Sequence, residues 1–211
     1  MKDNSSRRKK IWKNYFDIVI IPPEEISRYS IGLSKKLRKH GTKWTLGKNS
    51  FIPHISLYHI AVKPTKLRAF VAEIQRTIEN LSPGYLHTNV MEPNLLMFDK
   101  PEWIRKLYLK VIKNTLKYYD WDYGTDEFWL LNHFPKRMRK IRARFIKKYG
   151  TPMVGTNFRP HVTLTSFKNE SPNLGIKRAK KFKFKPNFLY ICELGSSHSC
   201  QRVVVKIPFK K

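Results

Sequence analysis

The chain has 211 residues, 41% apolar and 13% aromatic, with 43 Lys and Arg against 15 Asp and Glu, giving a formal charge of +28. That apolar share excludes a wholly disordered chain, and the length suits one domain or two small lobes around one core. No apolar run approaches the roughly 18 residues of a transmembrane helix, no signal peptide is expected, and two cysteines exclude a disulfide framework, so a reducing, cytoplasmic setting without membrane contact is expected.

Residues 1–12 read as a loose basic tail and 13–211 as a single folded unit. Tyr15 to Ile21 has a buried-strand pattern, closed by Pro22 and Pro23. Glu24 and Glu25 then open a helix, where acidic side chains suit the positive end of the dipole. It runs to about Lys39, and Gly41 is a suitable stop. Lys43 to Leu46 reads as a short strand and Phe51 to Val62 as a longer one. Thr65 to Leu81 is a helix pattern with Leu67, Phe70, Val71, Ile74, Ile78 and Leu81 on one stripe. His87 to Phe98 holds one or two strands broken by Pro93, and Pro101 opens a second strong helix to Tyr119. Asp120 to Phe134 reads as a folded loop or insert. Its aromatic run, from Tyr118 to Trp129, suits either a binding surface or core packing.

Residues 136–148 hold eight basic residues and no acidic one, and Met138, Ile141 and Phe145 fall at helical spacing, so the segment reads as an amphipathic helix with a basic face. Lys177 to Lys185 holds six basic residues in nine. Strand patterns follow at Arg159 to Phe167, Phe188 to Leu194 and Val203 to Pro208, with Gly195 to Ser199 as the connection of a terminal hairpin. Helices alternate with strands, yet strand pairs also occur, so the class is α+β rather than a doubly wound sheet. The charge favours a polyanionic partner, RNA or DNA, bound in a salt-dependent way, with RNA or a nucleotide expected as substrate; the alternatives are a solvated basic surface and, as a smaller share, a membrane surface.

Two segments resemble each other. Phe51-Ile52-Pro53-His54-Ile55-Ser56-Leu57 matches Phe158-Arg159-Pro160-His161-Val162-Thr163-Leu164, with the histidines 107 residues apart. A third match to His-x-Ser/Thr, His40-Gly41-Thr42, is set aside because it sits where a helix should stop. Strand alternation puts His54 and Ser56 on one face, opposed by Ile55 and Leu57; His161 and Thr163 are opposed by Val162 and Leu164. Brought together, the copies supply two imidazoles and two hydroxyls. One neutral imidazole takes a proton from water or a ribose hydroxyl, and a protonated one gives a proton to the departing oxygen. The hydroxyls of Ser56 and Thr163 donate to phosphate oxygens. This chemistry needs no metal or other cofactor.

The paired motifs resemble the 2H phosphoesterase superfamily, which includes 2′-5′ RNA ligase-like proteins and cyclic phosphodiesterases. Tyr15 to Pro23 is similar to that family's first strand and following turn, and Phe188 to Phe209 to its closing hairpin. The resemblance is weakest between about 85 and 155. It implies two similar lobes, each an antiparallel sheet with helices packed outside, enclosing a central cleft. It also implies His54 and His161 as the catalytic pair, with Ser56 and Thr163 binding phosphate. Two positions depart from the ligase-like branch: His59 stands where an aromatic residue is usual, and Ser166 where an Arg is.

Further candidates rest on position alone. Arg159, two residues before His161, faces either a phosphate or solvent. Tyr58 and Phe167 either stack on a base or pack in the core or rim. Cys192, His198 and Cys200 lack a fourth ligand at zinc spacing, so no metal site is read there. The expected activity is that of a monomeric, metal-independent phosphodiesterase acting on 2′,3′-cyclic phosphates or 2′-5′-linked RNA ends or nucleotides. The rivals are a non-catalytic RNA-binding protein using the same cleft, and RNA end-joining.

Overall fold

The computed structural model describes residues 14–123, 131, 132, 134–152, 154, 158–169, 172–195 and 198–210. The basic tail expected over 1–12 and most of the aromatic segment after Tyr123 lie outside the described residues.

The described strands are β1 (Tyr15–Ile20), β2 (Ile55–Ala61), β3 (Leu86–Glu92), β4 (Leu95–Phe98), β5 (His161–Thr163), β6 (Lys177–Arg178), β7 (Lys183–Phe184), β8 (Phe188–Leu194) and β9 (Cys200–Pro208). They form one antiparallel sheet in the order β6-β3-β4-β5-β2-β1-β8-β9, with β7 also on β3. The helices are α1 (Glu24–Leu37), α2 (Leu67–Ile78), α3 (Glu102–Thr115) and α4 (Lys136–Tyr149). The α+β class is therefore as expected. The two strands carrying the repeated motif are neighbours at the centre of the sheet, with Ile55 facing Val162.

Ile18, Ile20, Ile55, Ile60 and Val162 are wholly buried and cluster with Phe70 and Ile74 of α2 and Ile104, Leu107 and Val111 of α3. Each such side chain contributes about 1.5–3 kcal/mol by leaving water. The stripe on α2 is thus core-facing because its apolar spacing matches the helical period. Among the described residues no helix is long and apolar enough to cross a membrane.

Several boundaries depart from the sequence pattern. Lys43 to Leu46 forms no strand: the Lys43 N–H donates to the Ser166 carbonyl only as part of an isolated bridge between Thr42 and Phe167, and the Leu46 N–H donates to the Ser34 hydroxyl. The second strand starts at Ile55 rather than Phe51, because Phe51 has a positive φ of 52° and Pro53 lacks an N–H to donate. The final strand starts earlier than expected, at Cys200. Lys177 to Lys185, read only as a charge run, contributes β6 and β7, its cations outward and Ala179, Phe182 and Phe184 buried between them.

Candidate active site

The β1–β2 ladder shifts register: Ile18 faces Tyr58 but Val19 faces Ser56, leaving Leu57 unopposed as a bulge. The extra residue reverses the alternation beyond it. Tyr58 joins Ile18 on the core side, and His59, facing Asp17, joins Ser56 on the other. Across the central seam, the Ile55–Val162 pair fixes the remaining neighbours. Continuing that register one residue each way sets His54 opposite Thr163 and Ser56 opposite His161. The two motif histidines are then diagonal neighbours, a separation on the order of 7–8 Å in a regular sheet.

A cavity of about 450 Å³ borders these residues. His54, Ser56, His161, Thr163 and Arg159 all line it, together with His59 and His198. Its apolar walls include Trp44 stacked on Phe51 at 5.2 Å and Tyr108 stacked on Phe158 at 4.1 Å.

Both motif imidazoles are held the same way. Nδ1 of His54 lies 2.6 Å from the Ile52 carbonyl, and Nδ1 of His161 lies 2.6 Å from the Arg159 carbonyl. A carbonyl oxygen only accepts, so each Nδ1 carries the hydrogen and donates it. That leaves Nε2 of each ring as the nitrogen on which a proton can be gained or lost. Proline between carbonyl and histidine in both copies, Pro53 and Pro160, has a fixed φ that helps hold this two-residue loop. Burial pushes the His54 pKa below its ordinary value, against the pull of the Asp17 carboxylate and the Ile52 bond; nearby His59 adds to the lowering. Burial likewise lowers His161, opposed by the bond to the Arg159 carbonyl and assisted by His54.

Asp17 is a residue that sequence reasoning missed. It is wholly buried, and its Oδ2 accepts the Ser56 hydroxyl at 2.6 Å. The same oxygen lies 3.4 Å from Nε2 of His54 and 3.2 Å from Nε2 of His59. His59 in turn stacks on His198, ring centroids 5.2 Å apart and planes 5° apart. The carboxylate therefore favours the protonated form of His54 and holds the Ser56 hydroxyl. A lone acid inside the otherwise apolar run Tyr15 to Ile21 was its signal, since acidic side chains are seldom fully buried without a partner.

The remaining candidates fall in different places. Arg159 is exposed at the cavity edge and pairs with Glu92 of β3. Tyr58 is buried in the cavity wall, its hydroxyl donating to the Tyr149 carbonyl at 2.7 Å. Phe167 is buried in the core and does not line the cavity. Cys192 and Cys200 are buried side by side; their mutual hydrogen bond, with burial, pushes the Cys192 thiol up.

No protein-family model matches the chain, and no curated protein matches it. Solved structures do. TT0787 of Thermus thermophilus superposes with a TM-score of 0.61 at 13% identity, covering 92% of this chain and 97% of that one. LigT of E. coli in its apo form gives 0.60 at 12% identity, covering 94% and 98%. LigT complexed with 3′-AMP gives 0.53 at 14% identity, covering 92% and 94%. The chain thus has the fold of the 2H phosphoesterases, LigT among them, to which its paired histidine motifs had pointed.

Proposed function

We propose that this protein is a two-histidine phosphodiesterase that opens 2′,3′-cyclic phosphates or cleaves 2′-5′ linkages at RNA ends or in nucleotides, without a metal. The observation that carries this reading is the convergence of His54 and His161 on one cavity, each with Nδ1 committed to a backbone carbonyl. One Nε2 accepts the proton of an attacking water as its oxygen bonds to phosphorus. The other Nε2–H protonates the ribose oxygen as its bond to phosphorus breaks. The hydroxyls of Thr163 and Ser56 donate to the non-bridging oxygens, Ser56 after turning away from Asp17. The LigT complex with 3′-AMP supports this substrate class, because a ribonucleotide 3′-phosphate is one product of opening a cyclic phosphate.

The charge of +28 also favours a second reading, RNA binding in the same cleft without turnover. Hydrolysis of a 2′,3′-cyclic nucleotide in the presence of chelator separates the two. The expected result is turnover that His54→Ala and His161→Ala each lower by about 10²–10⁴-fold. Full activity in either variant overturns the two-histidine mechanism. Tight RNA binding with no product from any cyclic or 2′-5′ substrate favours the second reading. Supplying RNA that carries a cyclic phosphate together with a free 5′-hydroxyl tests for joined product, and so for end-joining.

A further inference from the structure

Helix α4 carries more unbalanced charge than its fold requires. Lys136, Arg137, Lys140, Arg144, Lys147 and Lys148 are all exposed. At about 100° per residue they fall within roughly 120° of the helix circumference, a strip about 18 Å long at 1.5 Å per residue. The helix contains no acidic residue, and among the described residues no carboxylate pairs with these six cations. Such a strip repels itself, which costs stability unless a polyanion covers it.

The strip is fixed to the cavity. Phe134, just before α4, and Thr151, just after it, both line the cavity. The Tyr149 carbonyl at the end of α4 accepts the hydroxyl of Tyr58 on β2. On the inner side, Arg142 is buried, donates to the Pro152 carbonyl at 2.8 Å, and lies over the rings of Phe134 and Phe145 at 5.1 and 5.5 Å. Arg142 thus acts as a strut rather than a surface cation.

We propose that α4 binds the phosphate backbone of an RNA strand whose end occupies the cavity, so that the natural substrate is a polynucleotide rather than a mononucleotide. This rests on the phosphodiester reading of the cavity. A lipid surface fits less well. A membrane-lying helix presents an apolar face outward, whereas Ile146 and Phe145 of α4 are spent on protein contacts and only Ile141 stands exposed among the cations.

The test is the triple variant Lys140→Ala/Arg144→Ala/Lys147→Ala, matched in charge by Lys181→Ala/Lys183→Ala/Lys185→Ala on the β6–β7 side. Both are assayed on a 2′,3′-cyclic mononucleotide and on a single-stranded decamer ending in a cyclic phosphate. The α4 variant should keep wild-type mononucleotide turnover. On the decamer its KM should rise about tenfold or more at low salt, and its salt slope should fall by about 2, at ~0.7 per lost phosphate contact. The matched variant should change less. Equal losses in both variants, or an unchanged decamer KM and slope, overturn the proposal. Decamer binding read by fluorescence anisotropy tests α4 even if nothing is turned over: loss of turnover alone sinks the enzymatic reading, and unchanged binding sinks this one. Retention of wild-type protein on phosphatidylserine vesicles, lost in the α4 variant while decamer binding is kept, assigns the strip to a membrane instead.

Discussion

The Asp17 carboxylate, with no exposed surface, lies 3.4 Å from Nε2 of His54, the ring nitrogen left to exchange protons once Nδ1 is bound to Ile52. It does not set the tautomer, which the Ile52 carbonyl already fixes. Its effect is on charge: it favours imidazolium at one of the two motif histidines. The causes of the His161 shift do not include it.

Asp17→Asn should therefore lower kcat for cyclic-phosphate opening by roughly 10–100-fold, with the fold intact. With the carboxylate gone, burial acts unopposed by it and the His54 pKa falls further. The limb of His54 should move to lower pH, while the limb of His161, relieved of part of the repulsion from charged His54, should not move down. If the moving limb is the acidic one, His54 is the general base; if the alkaline one, the general acid. A D17N enzyme with both limbs and kcat unchanged would remove Asp17 from the mechanism. Asp17→Ala should cost about 1–3 kcal/mol in addition, because the Ser56 hydroxyl loses its buried acceptor.

The pH dependence follows from the two lowered histidines. For kcat/KM, which reports the free enzyme, a bell centred below the ordinary histidine value of 6.5 is expected. A bound phosphate favours the protonated rings, so the kcat profile should sit at higher pH than that of kcat/KM. Stability has a definite sign too. Below 6.5 the unfolded chain binds protons that the folded rings still refuse, so stability is full above that value and declines as pH falls toward the folded pKa values. Urea midpoints measured from pH 7.5 downward check this, and His54→Gln should weaken the decline. A free-enzyme bell centred above 7 would contradict the burial of both rings.

Gly150 closes α4 with φ of 73°, and a Cβ there would come within 2.0 Å of the Tyr119 ring. Gly150→Ala should cost about 1–3 kcal/mol from the left-handed backbone alone, and more from the clash. In a Tyr119→Ala background the clash is removed and only the backbone cost should remain. A urea double-mutant cycle measures the difference as coupling. No coupling would mean that the α4 terminus does not rest on that ring.

Much of the site was legible in the sequence because it repeats. His54 with Ser56 and His161 with Thr163 share a context of Phe, Pro and Leu, and strand alternation gave each pair a common face. The helices were legible too: α2 and α4 from apolar spacing, α1 from the acidic residues that open it and the glycine beyond its end, and α3 from its opening proline. His59 was not placed at the site because alternation assigns it to the core side; the bulge at Leu57 reverses that, and a bulge leaves no mark in a run of strand-forming residues. Asp17 was passed over because its meaning depends on Ser56 and His54, which only the pairing of β1 with β2 brings beside it. β6 and β7 were hidden by their lysines, whose charge masked the buried Ala179, Phe182 and Phe184 between them.

On the proposed function, the meeting of Ile55 with Val162 makes turnover a gauge of complete renaturation. Segments more than a hundred residues apart must find one another before both rings border the same opening, and such distant encounters are slow because loop closure is entropically unfavourable. After dilution from denaturant, catalytic recovery should trail the return of helical circular dichroism, and a fragment ending before α4 should regain helix without ever regaining catalysis.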